Sequence, residues 1–276
     1  MADKQAISRR TALIALGAAS LSVAAAPAYA ESLAHPVDRT FYIAGDSTSC
    51  QKHEDVAPET GWGMGMPFFL NPRVRTDNRA LSGRSSKSFI DEGHLEAILA
   101  DIKSGDILLV QFGHNDQKLE DPKRYTEPWT TYQDHLRLYV DGARSRGAVP
   151  VLATPAERRR FERSGNAYSS HGDYPAAMRA LAAEKGVPLI DVQAQTLALW
   201  QQLGPEETKK YFLYVGDRRD NTHFNTPGAA AIAKIISRGL LDTSVLEPGH
   251  LRRLDEEIDT SWFRWPAGIT PPPAPL

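Results

Sequence analysis

Four short stretches of the 276-residue chain carry side chains that can move protons and make acyl bonds. Gly45-Asp46-Ser47 supplies a hydroxyl. Gly83 supplies a backbone N–H that the missing side chain leaves open to close approach. Gly113-His114-Asn115-Asp116 supplies a carboxamide. Asp220-Asn221-Thr222-His223 supplies an imidazole with an acid three residues before it. Taken singly, each is ordinary turn chemistry, since Gly tolerates positive φ and Asp, Asn and Ser bond the local backbone. Taken together, they are the parts needed for acyl transfer to water. A serine hydroxyl is a weak nucleophile at neutral pH and needs an adjacent base. An imidazole titrates near neutrality, and a carboxylate can orient it and stabilise its charged form. The tetrahedral intermediate then needs donors at its oxyanion. The resulting assignment is Ser47 as nucleophile, His223 as base and Asp220 as its orienter. The N–H groups of Ser47 and Gly83 and the side chain of Asn115 form the oxyanion hole.

This set works only if the fold brings distant stretches to one edge. Five short apolar runs, within 41–45, 73–81, 106–113, 148–155 and 187–192, have strand length. The run Ile107–Gln111 is continuous enough to be covered on both faces. Helical spacing fills the gaps between these runs: a short helix near 60–70, one helix across 85–102, one from 129 ending at Gly147, one from Tyr174 to Gly186, and two near 193–203 and 226–242. Strands alternating with helices imply right-handed crossovers and a parallel five-stranded sheet with helices on both faces. Ligands of such sheets bind beyond the carboxyl ends of the strands. Ser47, Gly83 and Asn115 all follow a strand.

The four blocks resemble the SGNH, or GDSL-type, hydrolases, which carry them in the same order, and the resemblance spans about residues 40–240. It implies a three-layer α/β/α flavodoxin-like fold with Ser47, Asp220 and His223 as the triad. Longer strings, "GRSSKSF", "QFGHNDQK", "TPAERRRF", "GDYPAAM" and "DNTHFN", are similar to the rhamnogalacturonan acetylesterase branch, carbohydrate esterase family twelve. That branch implies removal of acetyl groups from a pectic backbone. An esterase or lipase for other acyl esters, or a non-catalytic carbohydrate-binding protein on the same fold, is the alternative.

Several classes are disfavoured. No His-x-His or His-x-x-x-His pair occurs, which disfavours a metal-dependent phosphoesterase, and the sole cysteine, Cys50, leaves no internal disulfide and no Cys-based metal site. No cofactor and no metal are expected. A formal net charge of −2 argues against nucleic acid as a partner. Residues 1–30 read as an export signal: Arg9 and Arg10 after Ser8, an Ala-rich apolar stretch, and an Ala-x-Ala site at Ala28 and Ala30. The paired arginines suggest the twin-arginine route to the periplasm or beyond, with cleavage and no stable membrane anchor. Residues 31–262 are then a single catalytic domain, and 263–276 a Pro-rich tail.

The substrate expected is an acetylated, acidic polysaccharide or oligosaccharide. Arg84, Arg158, Arg159, Arg160, Arg163, Arg218 and Arg219 gather positive charge near the catalytic blocks of a mildly acidic chain. Arg84, Arg159 and Arg160 are candidates for binding substrate carboxylates, a task suited to a planar guanidinium. The bland alternative is solvated pairs with Glu157 and Glu162. Trp62 and Trp129 are candidate sugar-stacking platforms, with core packing as their alternative.

Overall fold

The computed structural model describes residues 37–271. The export signal expected over 1–30 lies outside these residues. The central sheet is parallel and five-stranded in the order β2-β1-β3-β4-β5, from β1 (Arg39–Gly45), β2 (Val74–Asn78), β3 (Ile107–Gln111), β4 (Val149–Ala153) and β5 (Leu189–Ile190). The strand alternation builds the two cores. Phe41 and Ile43 of β1, with Ile107, Leu109 and Val151, face one helical layer, while Tyr42, Ala44, Leu108, Val110 and Leu152 face the other. The first layer holds α1 (Met66–Phe69), α6 (Val192–Glu207) and α7 (Thr226–Asp242). The second holds α2 (Ser86–Asp91), α3 (His94–Asp101), α4 (Gln133–Ser145) and α5 (Tyr174–Lys185). This is the α/β/α sandwich expected.

Three local features differ from the sequence expectations. The single helix expected across 85–102 is two helices, because Gly93 adopts φ +79° between them. Ser85 caps the first of the two, with its side chain and that of Ser88 bonding each other's backbone N–H. An unexpected antiparallel hairpin, β6 (Phe212–Val215) and β7 (Arg218–Phe224), follows α6. β6 is a four-residue apolar run, Phe-Leu-Tyr-Val, too short to stand out, and the polar β7 lacks the alternation that marks a half-buried strand; within the hairpin only Phe212, Leu213 and Phe224 are buried. Finally, the chain does not leave the domain at 263. Phe263 is buried and packs edge-on against Phe68. The Trp265 indole N–H donates to the Glu59 carbonyl at 2.8 Å. The Thr270 hydroxyl and N–H both donate to Asp55, so the segment is laced to the loop at 53–59.

Candidate active site

Order 2-1-3-4-5 places β1 between strands reached by oppositely directed connections, so the crevice beyond β1 and β3 is the sheet's switch point. Ser47 follows β1 there and Asn115 follows β3. The turn after β1 is tight. Ser49 N–H and Cys50 N–H both bond the Asp46 carbonyl, and Ser49 Oγ approaches the strand so closely that a Cβ on Gly45 would lie 2.4 Å from it. Only glycine fits at that position. Asp46 is fully buried and shapes the turn rather than reacting. Its Oδ1 accepts from Thr48 N–H (2.9 Å) and Thr48 Oγ (2.7 Å), and its Oδ2 lies 3.1 Å from His114 Nδ1. Burial opposes its ionisation, but His114 and the Thr48 donors outweigh that and hold the carboxyl below the ordinary range.

The base arrives from the hairpin. Asp220 Oδ1 accepts from the N–H groups of Thr222 (2.8 Å) and His223 (3.0 Å), the local turn that a three-residue Asp–His spacing permits. Its Oδ2 accepts from His223 Nδ1 at 2.8 Å. A carboxylate only accepts, so the neutral ring carries its proton on Nδ1 and presents the Nε2 lone pair. That Nε2 lies 2.9 Å from Ser47 Oγ. Partial burial works against the Asp220 charge, yet the His223 ring and the two backbone donors hold its carboxyl well below the carboxylate range. The carboxylate therefore stays available to an imidazolium.

Ser47, Gly83, Asn115, Asp220 and His223 all line one cavity of about 620 Å³. Gly83 adopts φ +76°, which suits glycine, and its carbonyl accepts from Arg124 at 3.4 Å. Asn115 Nδ2 donates one hydrogen to the Arg84 carbonyl at 3.0 Å, which fixes the amide and leaves its second hydrogen for a ligand. Beneath both loops, Asp116 Oδ1 accepts from Ser86 N–H, Ser86 Oγ and Thr126 Oγ1, while Oδ2 has no hydrogen-bond partner among the described residues. Burial pushes its pKa up to about 7; the three donors act the other way, and the Asp46 charge adds to the rise.

The substrate-binding candidates fare differently. Trp62 is not a stacking platform: it is fully buried and its indole N–H donates to Gln111 Oε1 at 2.7 Å in the core. Trp129 is half-exposed, bonds Asp173 and lies outside the cavity lining. Arg159 is structural. It donates to Tyr214, Asn221 and the Pro205 carbonyl and stacks on Phe161 and Tyr214, bracing the hairpin. Arg160 is exposed and outside the lining, and Arg84 pairs with Glu92 and is likewise outside it. Of the clustered arginines only Arg158 lines the cavity.

Sequence reasoning passed over the remaining lining cations, Lys52, Lys118 and Arg124. Lys118 and Arg124 lie in "DQKLEDPKRY", just past the Gly-His-Asn-Asp block, and that proximity was the available signal. Lys118 has no ion-pair partner among the described residues. Burial lowers its pKa, with Arg124 alongside adding to the effect. Among the described residues, no group of three or more His, Cys, Asp or Glu side chains is placed to hold a metal ion, and no helix is long and apolar enough to cross a membrane.

Comparison with known proteins agrees with this geometry. The profile of the GDSL-like Lipase/Acylhydrolase family matches residues 43–231, and the chain belongs to that family. It is 42% identical over 221 residues to rhamnogalacturonan acetylesterase RhgT of Bacillus subtilis, covering 76% of this chain and 93% of that protein. It is 43% identical over 200 residues to the probable rhamnogalacturonan acetylesterase YesY of the same organism, covering 72% and 91%. Among solved structures, Bacillus subtilis YXIM superposes with a TM-score of 0.68 at 30% identity; the match covers 76% of this chain and 58% of that one. The acetylxylan esterase Axe2 of Geobacillus stearothermophilus shares the fold, with a TM-score of 0.54 at 18% identity, covering 77% of this chain and 97% of that chain.

Proposed function

We propose that this GDSL-type acylhydrolase removes O-acetyl groups from rhamnogalacturonan through a serine acyl-enzyme. The observation that carries the reading is the unbroken chain Asp220–His223–Ser47, with steps of 2.8 and 2.9 Å, opening into a cavity lined by Gly83 and Asn115. In the first half-reaction Ser47 Oγ passes its proton to His223 Nε2 and bonds the acetyl carbon. The carbonyl oxygen becomes an oxyanion held by Ser47 N–H, Gly83 N–H and Asn115 Nδ2. Collapse breaks the ester C–O bond, and His223 returns the proton to the departing sugar hydroxyl. Water repeats the cycle in the second half: His223 takes its proton, hydroxide oxygen bonds the acyl carbon, and acetate leaves as Ser47 Oγ regains a proton.

An acidic sugar chain suits the cavity wall. Lys118, Arg124 and Arg158 line it, where a lipase site would present apolar loops. Arg124 is committed to Asp121 and Gly83, and Arg158 to Ser170 and the His114 carbonyl, which leaves the unpaired Lys118 ammonium to meet a uronate carboxylate. The 42–43% identity to rhamnogalacturonan acetylesterases supports the same substrate. Acetate release by the purified protein from acetylated rhamnogalacturonan, acetylxylan and acetylated chitin fragments tests the reading. Release from the pectic polymer well above the other two is expected, and a preference for either of the others overturns it.

Export through the twin-arginine route, with cleavage after Ala30, is part of the same proposal. Its support is the paired arginines and the Ala-x-Ala site. N-terminal sequencing of the exported form should begin at Glu31, and replacing Arg9 and Arg10 with lysine should hold the precursor inside the cell.

A further inference from the structure

Three charged side chains beside the triad take no part in the reaction above. Lys52 is 2% exposed, and its ammonium lies 2.6 Å from Glu59 Oε1 and 3.3 Å from Ser82 Oγ. The other oxygen of the same carboxylate, Glu59 Oε2, accepts from Arg218 Nη2 at 2.7 Å. That nitrogen also lies 3.3 Å from Asp220 Oδ2, the oxygen that accepts the hydrogen bond from His223 Nδ1. One buried carboxylate thus reaches two parts of the site. Through Lys52 it touches Ser82, the residue before the oxyanion-hole glycine. Through Arg218 it touches the orienting acid.

A buried Lys–Glu pair is a poor way to gain stability, since desolvation costs about as much as the attraction returns. The Arg218 contacts are half-exposed, so their pair energies are small as well. What the arrangement does supply is geometry. The Glu59 backbone is itself pinned: its carbonyl accepts from the Trp265 indole at 2.8 Å, and the next residue, Thr60, donates its N–H to the Phe224 carbonyl at 2.9 Å, directly after His223. The Asp220 carboxylate has its Oδ1 filled by two backbone N–H groups. Among the described residues, its Oδ2 is held by the imidazole and by Arg218 alone. We propose that Glu59 is the positioning residue of this site, fixing Asp220 through Arg218 and the Ser82–Gly83 segment through Lys52. The two halves of the machinery come from separate parts of the fold, and Glu59 sets their register from one point.

The inference rests on Ser47, His223 and Asp220 being the reacting triad, and it is tested on a small neutral acetyl ester so that substrate charge plays no part. Glu59→Gln should lower kcat roughly 10–100-fold, the scale of a small misplacement of reacting groups, while KM stays within about threefold. In an Asp220→Asn background the same change should lose clearly less than in the wild type, because the arm through Arg218 then has no carboxylate to position and only the arm through Lys52 remains. Glu59→Gln strands a buried lysine, so Lys52→Met/Glu59→Gln separates stability from positioning: its Tm should recover while kcat does not. An equal loss in both backgrounds, or a kcat that recovers together with Tm, overturns the proposal. Ser47→Ala is run alongside, and near-normal turnover in that variant would sink the triad assignment itself, a result distinct from either of these.

Discussion

The two halves of the active site are held in opposite ways. Ser47, Gly83 and Asn115 stand on loops at the rim of a sheet whose central strands are buried on both faces. Their loops are tied by buried polar groups, Asp46 and Asp116. Asp220 and His223 stand on a two-stranded hairpin outside that sheet, with its turn residues exposed. Such a hairpin is marginal by itself. It is held by contacts from elsewhere: Phe212 and Phe224 stack together beside Trp200, Arg159 bonds Tyr214 and Asn221, and Arg218 reaches Glu59. The nucleophile and oxyanion donors are therefore fixed by the global fold, while the base is fixed by a handful of side chains. Damage to the first half should appear as lost stability or lost chemistry outright, and damage to the hairpin supports as lost turnover in a protein that stays folded.

The sharpest contrast comes from the reacting groups. Ser47→Ala should reduce turnover of a small acetyl ester by up to about 10⁶-fold and Asp220→Asn by roughly 10³–10⁴-fold, the range seen for serine triads. Both variants should keep the wild-type circular dichroism. Next is the hairpin brace. Arg159→Ala should cost about 10–100-fold in kcat, equally on acidic oligomers and on neutral esters, because Arg159 positions the hairpin and does not face substrate. A loss confined to acidic substrates would place Arg159 in the binding site after all.

The rim should reveal itself through pH. Burial pushes the pKa of the Asp116 carboxyl in the folded protein up to about 7, above the ordinary aspartate value of 3.8. The folded state thus binds more protons than the unfolded state between these limits, and this group's contribution to stability falls as pH rises from about 4 to 7. Asp116→Asn removes that slope. The stability difference between the variant and the wild type should shift in the variant's favour by up to ~1.4 kcal/mol per pH unit across the window. A difference independent of pH in urea titrations would contradict the assignment. The smallest effect belongs to the cavity cation. Lys118→Met should raise KM for acetylated pectic oligomers by at most about fivefold, the scale of an exposed charge contact, and leave a neutral ester unchanged. Raising ionic strength on the wild type should mimic it.

Much of the sheet was legible because its strands are apolar runs bounded by Gly and polar turn residues, and the triad with its oxyanion donors was legible because Ser, Gly, Asn and Asp-x-x-His sit at fixed places around those runs. The hairpin was not. Arg218–Phe224 is almost entirely polar, since its job is to present side chains to the cavity and to neighbouring loops rather than to bury a face. The arginines misled for a related reason. "AERRRF" shows charge without direction, and a turn past β4 sends Arg158 into the cavity, Arg159 onto the hairpin and Arg160 to solvent. The role of Trp62 was hidden because its partner, Gln111, is 49 positions away.

Thr270 and Pro271 line the same cavity as Ser47 and His223, and Pro271 also borders a neighbouring cavity of about 310 Å³ formed with Gln51, His53, Asn78 and His94. A shortened variant that stops at Ala267 would therefore lose part of the active-site wall and the two Thr270 donors to Asp55 in one step. Every reacting side chain lies upstream of that point, yet the loop at 53–59 would lose a tether and the cavity a side. The minimal catalytic unit is thus longer than the span of its reacting groups.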